Sequence, residues 1–233
     1  MTTTAERLAT VRANVAPACE RAGRDPAEVT IVGVSKTQPV EEVREALAAG
    51  LADFGENRVQ ELVPKAEAVA AADLTTPDGL SHPRWHFIGH LQRNKVRQVL
   101  PHIAALHSLD SLRLVEEIER RAELRAGEPL PCYLEVNVSG EPSKQGLAPD
   151  ELPRLLARAE ETPHVRVAGL MTVAPLVDDP EQVRPVFRRL RDLAGAHGLE
   201  SLSMGMTDDY AVAVEEGATV LRIGRAIFGA RNE

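Results

Sequence analysis

Cysteine is nearly absent: Cys19 and Cys132 are the only two in 233 residues, far apart and outside any metal-ligand spacing. Neither a disulfide framework nor a zinc site is expected. Positive charge is in deficit, with 27 Lys+Arg against 35 Asp+Glu and a net charge of −8. Such a surface repels phosphate backbones and anionic lipid, so neither nucleic acid nor a membrane surface is an expected partner. Long hydrophobic runs are missing too, and none approaches the ~18 apolar residues of a bilayer span. The opening MTTTAERLATVRANVAPACE carries charges every few residues, unlike a signal peptide. No G-x-G-x-x-G turn follows the first strand, where the chain reads VGVSKTQP, and no G-x-S-x-G elbow or Walker A loop is present. What remains is ordinary for a folded globular protein: 43% apolar and 27% charged residues, long enough to bury a core. A soluble, cytoplasmic protein is the expectation.

The chain alternates between two periods. Leu8, Val11, Val15 and Cys19 are spaced three or four apart, predicting a helix over residues 4–22 that ends at Gly23. Strand–helix units follow: Val29–Val34 with a helix over Val40–Ala49, then Ala52–Gly55 with Val59–Ala72. After a loop rich in Thr, Pro and Asp come Trp85–Gly89 with Asn94–Leu100, and Ala104–Ser108 with Ser111–Ala126. Cys132–Val138 precedes Asp150–Glu161, and Val165–Met171 precedes a helix from about Glu181 to His197. Ser201–Met204 precedes Asp208–Glu216, and Thr219–Ile223 leads into a short terminal segment. Strict alternation implies parallel strands with helical crossovers. An open doubly wound sheet would alternate in the same way, but eight units in a chain near the typical length of about 250 residues favour an α/β (β/α)₈ barrel with an extra N-terminal helix, one domain over residues 1–233. Barrel chemistry sits at the C-terminal strand ends.

The chain has four lysines, and Lys36 stands apart, following directly on VTIVGV and sharing a strand face with Val34. Lys65 and Lys95 read as residues of polar helices, and Lys144 as a loop residue. A lysine partly desolvated at a barrel mouth can act as an amine nucleophile toward an aldehyde. By position alone, a solvated lysine just past a strand end is the commoner case. The loops after strands seven and eight often cup a phosphate in barrels. Here they offer Ser203, Gly205, Thr207, Gly224 and Arg225, although tight turns also need glycine. Strand alternation turns Arg222 inward, where a barrel carboxylate or a ligand must accept its hydrogen bonds. His82, His86 and His90 lie on a strand and its loops, where four residues span about 13 Å, too far for one ion. Asp208 and Asp209 read as helix caps.

The segments VSKTQP, FGENRVQE, WHFIGHLQRNKV, GLMTVAP, LSMGMTDD and VLRIGRAIFGAR resemble, in content and order, the motifs of the pyridoxal 5′-phosphate homeostasis proteins. The resemblance covers nearly the whole chain. It implies a fold type III barrel like the N-terminal domain of alanine racemase, with Lys36 carrying pyridoxal 5′-phosphate as a Schiff base. It also implies Asn57 near the ring, Arg222 facing the pyridine nitrogen, and Ser203, Gly224 and Arg225 around the phosphate. Two positions depart from the family pattern: Thr207 keeps a hydroxyl where serine is common, whereas Arg225 replaces a small hydroxyl residue. Lysine, phosphate cup and ring-nitrogen partner are what an aldehyde joined to a phosphate and a pyridine requires.

Three functions meet these features. One is a non-catalytic protein that stores pyridoxal phosphate and transfers it to apo-enzymes, expected to be a monomer with no metal. The second is an amino-acid racemase or related enzyme. The third is a Schiff-base aldolase for a phosphorylated sugar. The resemblance disfavours the aldolase. A fold type III racemase adds a second domain that supplies a tyrosine, whereas this chain offers only Tyr133 and Tyr210. Homeostasis without turnover is therefore the expectation.

Overall fold

The computed structural model describes residues 2–71, 82–125, 127–141 and 144–229. Its strands are β1 (Thr30–Val34), β2 (Asp53–Glu56), β3 (Arg84–Phe87), β4 (Ala105–Leu109), β5 (Leu130–Glu135), β6 (Val165–Met171), β7 (Ser201–Ser203) and β8 (Val220–Ile223). They pair in chain order, all parallel, and β8 returns to β1 with Arg222 beside Val32, closing the barrel. Each parallel step requires a crossover. Helices α2 (Val40–Ala48), α3 (Val59–Ala70), α4 (Val96–Val99), α5 (Leu112–Arg120), α6 (Leu152–Glu160), α7 (Arg184–Ala196) and α8 (Tyr210–Glu215) supply them. This is the (β/α)₈ barrel expected from the alternation. No helix among the described residues is long and apolar enough to cross a membrane.

The extra helix, α1 (Thr4–Arg21), starts at a capping box in which Thr3 and Glu6 each bind the other's backbone N–H. It stops at Gly23, whose φ of +65° suits only glycine without strain. It packs on α2, α8 and the terminal helix α9 (Arg225–Phe228), and Arg7 Nε donates to the Ile227 carbonyl at 2.6 Å.

Some boundaries differ from the sequence reading, for local reasons. The helix expected over Ser111–Ala126 ends at Arg120, because Arg121 leaves helical dihedrals and a 3-10 turn follows over Ala122–Leu124. Residue 126 lies outside the described residues, as do Ala72 and the Thr/Pro/Asp-rich loop beyond it. Helices α6 and α7 each open with a tighter 3-10 turn, Pro149–Glu151 and Pro180–Val183. Pro153 and Pro185 lack the N–H that would return to the first carbonyls of an α-turn.

Apolar burial lies mostly between sheet and helices, where Phe54, Leu62, Leu106 and Phe187 are fully buried. Each such side chain contributes about 1.5–3 kcal/mol. Inside the barrel the apolar cluster is small: Val32, Tyr133, Met171 and Val220. Barrel interiors are normally filled by layers of Val, Ile and Leu. Here Asp53, His86, His107, Glu135, Ser203 and Arg222 are buried as well.

Candidate functional site

Lys36 lies just past β1, on a segment held from several sides. Ser35 Oγ donates to Glu56 Oε1 at 2.7 Å, and the Ser35 N–H donates to the Gly55 carbonyl. Lys65 Nζ donates to the Ser35 carbonyl at 2.7 Å and to Glu56 Oε1 at 2.6 Å. Next to Lys36, Thr37 has a left-handed φ of 65°, and its N–H donates to Glu61 Oε2 at 2.6 Å. A non-glycine residue in that region costs about 1–3 kcal/mol unless its surroundings fix it. The carboxylates of α3 and β2 do so here. Lys65 is therefore no solvated helix lysine: its side chain is 11% exposed and forms the clamp beneath the Lys36 segment. Burial pushes the Glu56 carboxyl up, against the pull of Lys65 and Ser35.

On the opposite side of β1, β8 carries Arg222, whose inward orientation the strand alternation foretold. It is 4% exposed, with Nη1 donating to Ser203 Oγ at 2.6 Å and Nη2 to the Thr172 carbonyl at 2.9 Å. Burial pushes its guanidinium down to about 10, while the charges of Glu135 and Asp209 oppose the shift. The group stays cationic at neutral pH. Glu135, at the end of β5, is lifted to about 7 by burial and by the charge of Asp110, against Arg222 and His90. Asp209 occupies the N-cap position of α8, as its place in the sequence suggested, but its side chain makes no capping hydrogen bond to the helix. Its Oδ1 turns back to accept from the Met206 N–H at 2.6 Å, and burial pushes its carboxyl up.

The β7 and β8 loops meet at the rim. Gly205, at φ +92°, lies so close to α8 that a Cβ there would stand 2.6 Å from Ala213 Cβ. Gly224 precedes α9 and adjoins the end of β1, where a Cβ would lie 3.4 Å from the Val34 carbonyl. Arg225 pairs with Asp208, tying the two loops together. Ser203 lies deeper, its hydroxyl between Arg222 and His107 rather than at the rim. Asn57 follows β2, beside β1, and Gly89 packs against it so tightly that a Cβ would lie 2.4 Å from the Asn57 carbonyl. Among the described residues, Asn57 Oδ1 and Glu56 Oε2 are buried without hydrogen-bond partners.

Lys36, Asn57, Arg222 and Gly224 thus come from three adjacent strands, β2, β1 and β8. The sequence reading missed Glu135, Lys65 and the pair His86–His107. Glu135 carries the same signal as Arg222, a charge at the inward position of an apolar strand. Tyr133 lines the interior and bonds Ser201 Oγ at 3.0 Å, whereas Tyr210 Oη accepts from Asn14 of α1. No group of three or more His, Cys, Asp or Glu side chains is arranged for a metal among the described residues.

An eight-stranded barrel with a lysine past β1 and an arginine inside β8 falls in the class of the alanine racemase N-terminal domain, whose family model matches residues 7–232. Close relatives narrow the class. The pyridoxal phosphate homeostasis protein of Aquifex aeolicus is 44% identical, over 97% of each chain. That of Escherichia coli K12 is 41% identical over 98% of this chain and 97% of its own. The structure of PipY from Synechococcus elongatus, with pyridoxal phosphate bound, superposes with a TM-score of 0.82 at 34% identity, covering 97% of this chain and 100% of PipY. The chain belongs to the pyridoxal phosphate homeostasis protein family.

Proposed function

We propose that this chain binds pyridoxal 5′-phosphate through a Schiff base on Lys36 and stores and transfers it, without catalytic turnover of amino acids. The observation that carries this reading is the clamped Lys36 segment on β1 lying next to the buried Arg222 guanidinium on β8. The donor set fits the group. Arg222 has five N–H donors and spends two on Ser203 and Thr172, leaving donors for a ring nitrogen. Asn57 Oδ1 is a buried acceptor with no protein donor. Gly224, Ser203 and Arg225 form the proposed phosphate region. Since Arg225 and Ser203 both have side-chain partners, backbone N–H groups carry much of that contact.

To hold the group, Lys36 would react as a neutral amine, its nitrogen replacing the aldehyde oxygen, which would depart as water carrying the two amine hydrogens. When bound, the group supplies an electron sink for chemistry at amino-acid carbons. Arg222 would restrain that chemistry: it would donate a hydrogen bond to the ring nitrogen but, as too weak an acid to release its proton, would leave that nitrogen unprotonated. Residues 1–233 act as one cytoplasmic unit, monomeric, with apo-enzymes as recipients.

The phosphate is expected to dominate affinity, since each charge-assisted hydrogen bond contributes about 1.5–3 kcal/mol. Pyridoxal should bind far more weakly than its phosphate, and equal affinities would contradict the phosphate region. The function itself is tested by incubating loaded protein with single-enantiomer amino acids, following chirality and keto-acid formation, and by timing cofactor delivery to an apo-enzyme. No turnover, with delivery faster than release into buffer, is expected. Steady turnover that disappears in Lys36→Ala would make the protein an enzyme.

A further inference from the structure

Beneath the Lys36 rim, a line of hydrogen bonds crosses the barrel interior. It starts at the N-terminal end, where Arg84 donates twice to Asp53, from Nε at 2.8 Å and Nη2 at 2.6 Å. Asp53 Oδ1 lies 2.9 Å from His86 Nε2, and His86 Nδ1 lies 2.8 Å from His107 Nε2. His107 Nδ1 lies 2.8 Å from Ser203 Oγ, which accepts from Arg222. Five strands, β2, β3, β4, β7 and β8, each supply a member. A folded barrel could fill this space with aliphatic side chains, and unpartnered polar groups here would be costly.

The direction of the hydrogen bonds follows from the two ends. Arg222 has donors only, so Ser203 Oγ accepts from it. Asp53, although burial raises its carboxyl, is held below the ordinary range by His86 and Arg84 and is an acceptor. His86 therefore carries its proton on Nε2 and offers a lone pair at Nδ1. His107 fills that lone pair from its own Nε2–H and accepts the Ser203 hydroxyl at Nδ1. All the bonds then point from Arg222 toward Asp53, and each histidine is neutral.

We propose that His86 and His107 are positioning residues of the site, forming with Ser203 and Asp53 a proton wire that fixes the donor direction at Arg222 and stores a proton as a His86–Asp53 ion pair. Its effect on the cofactor rests on the proposed binding of pyridoxal phosphate at Lys36. A proton taken up at Ser203 displaces the hydroxyl proton onto His107 Nδ1, and the His107 Nε2 proton passes to His86 Nδ1. The charge ends beside Asp53, and the new Ser203 hydrogen is free to face the mouth. His86 is the favoured end because Asp53 from β2 and His107 from β4 face it, with Arg84 of its own strand behind Asp53. His107 is the disfavoured end: it is fully buried, its ring tilted against that of Tyr133 of β5 with centroids 4.5 Å apart, and it faces Ser203 of β7 and cationic Arg222 of β8. Burial and the charges of His86 and Arg222 hold its imidazole well below the ordinary range.

The wire is tested on cofactor-free protein by ¹⁵N NMR of the histidine rings, and on loaded protein by the pH profile of the visible absorption band. At neutral pH both rings should carry hydrogen on Nε2. On acidification, a proton taken up by the wire should rest on the His86 ring while His107 switches to Nδ1–H. A hydrogen on His107 Nδ1 at neutral pH, or a ring pair that does not switch, would overturn the proposal. In loaded His86→Gln the acid-side change of the band should vanish, with cofactor affinity reduced no more than about tenfold, the scale of one hydrogen bond. A band profile identical to that of the parent would overturn the coupling to the site. Because the NMR needs no cofactor, it judges the wire even if Lys36 does not hold the ligand or the variant does not fold.

Discussion

Between the sheet and its helices the molecule is filled with Phe54, Leu62, Leu106 and Phe187, all fully buried and members of one continuous apolar cluster. Inside the barrel, four residues make the apolar cluster and a line of charged and hydrogen-bonding groups fills the rest. The outer layer is non-directional and tolerates small shifts. The inner one is directional: each polar group there must meet a partner at hydrogen-bond distance. Apolar burial is concentrated in the first, and buried charge and hydrogen bonding in the second.

The comparison breaks most visibly in the outer layer. Phe187→Ala should cost about 3–5 kcal/mol through lost burial and a residual cavity, read as an earlier urea midpoint with an unchanged slope. A cost below about 1 kcal/mol would mean that this layer does not carry the fold. In the inner layer, Asp53→Asn should cost less, about 1–3 kcal/mol, because His86 and Arg84 lose a charged acceptor. The difference should shrink in acid: the Asp53 carboxylate is stabilised by folding, so its contribution is present above the ordinary carboxylate range and lost as pH falls through its lowered value.

Glu135 should behave with the opposite sign. Burial lifts it to about 7, so the folded chain prefers the neutral acid. That contribution is full below the ordinary carboxylate range and is lost as pH rises through about 7. Glu135→Gln should therefore stabilise the cofactor-free protein by up to about 3 kcal/mol at pH 8 and change little at pH 4. Urea unfolding at the two pH values checks it, and a variant less stable at pH 8 would show that the Glu135 charge is needed by Arg222. The smallest effect belongs to the rim: Arg225→Ala removes a pair in which both side chains are more than half exposed, and should cost about 0.5 kcal/mol or less.

The two layers were unequally legible in the sequence. Amphipathic periods such as Leu8–Val11–Val15–Cys19 encode the outer layer locally, so strand and helix order could be read along the chain. Lys36 and Arg222 were legible because each sits at a strand end on a face defined by its neighbours. His86 and His107 were not, because their meaning lies in a partner on another strand: the pair is joined across β3 and β4, and Ser203 is contributed from far along the chain. His82, His86 and His90 read as strand and loop histidines, and His86 does lie on β3, but the spacing carries no sign of its partner on β4. Lys65 looked solvated because its helix is polar, whereas its Nζ reaches Glu56 and Ser35 under the β1 segment.

That contrast between two lysines gives the most direct test of the proposed site. Lys36 lies on the clamped segment, and Lys65 is the clamp, already donating to Ser35 and Glu56. Protein loaded with pyridoxal phosphate is reduced with borohydride, digested, and mapped for the pyridoxyl group. The label is expected on the VSKTQP peptide at Lys36, and loss of covalent labelling is expected in Lys36→Ala. Label found chiefly on Lys65, Lys95 or Lys144 would contradict the assignment.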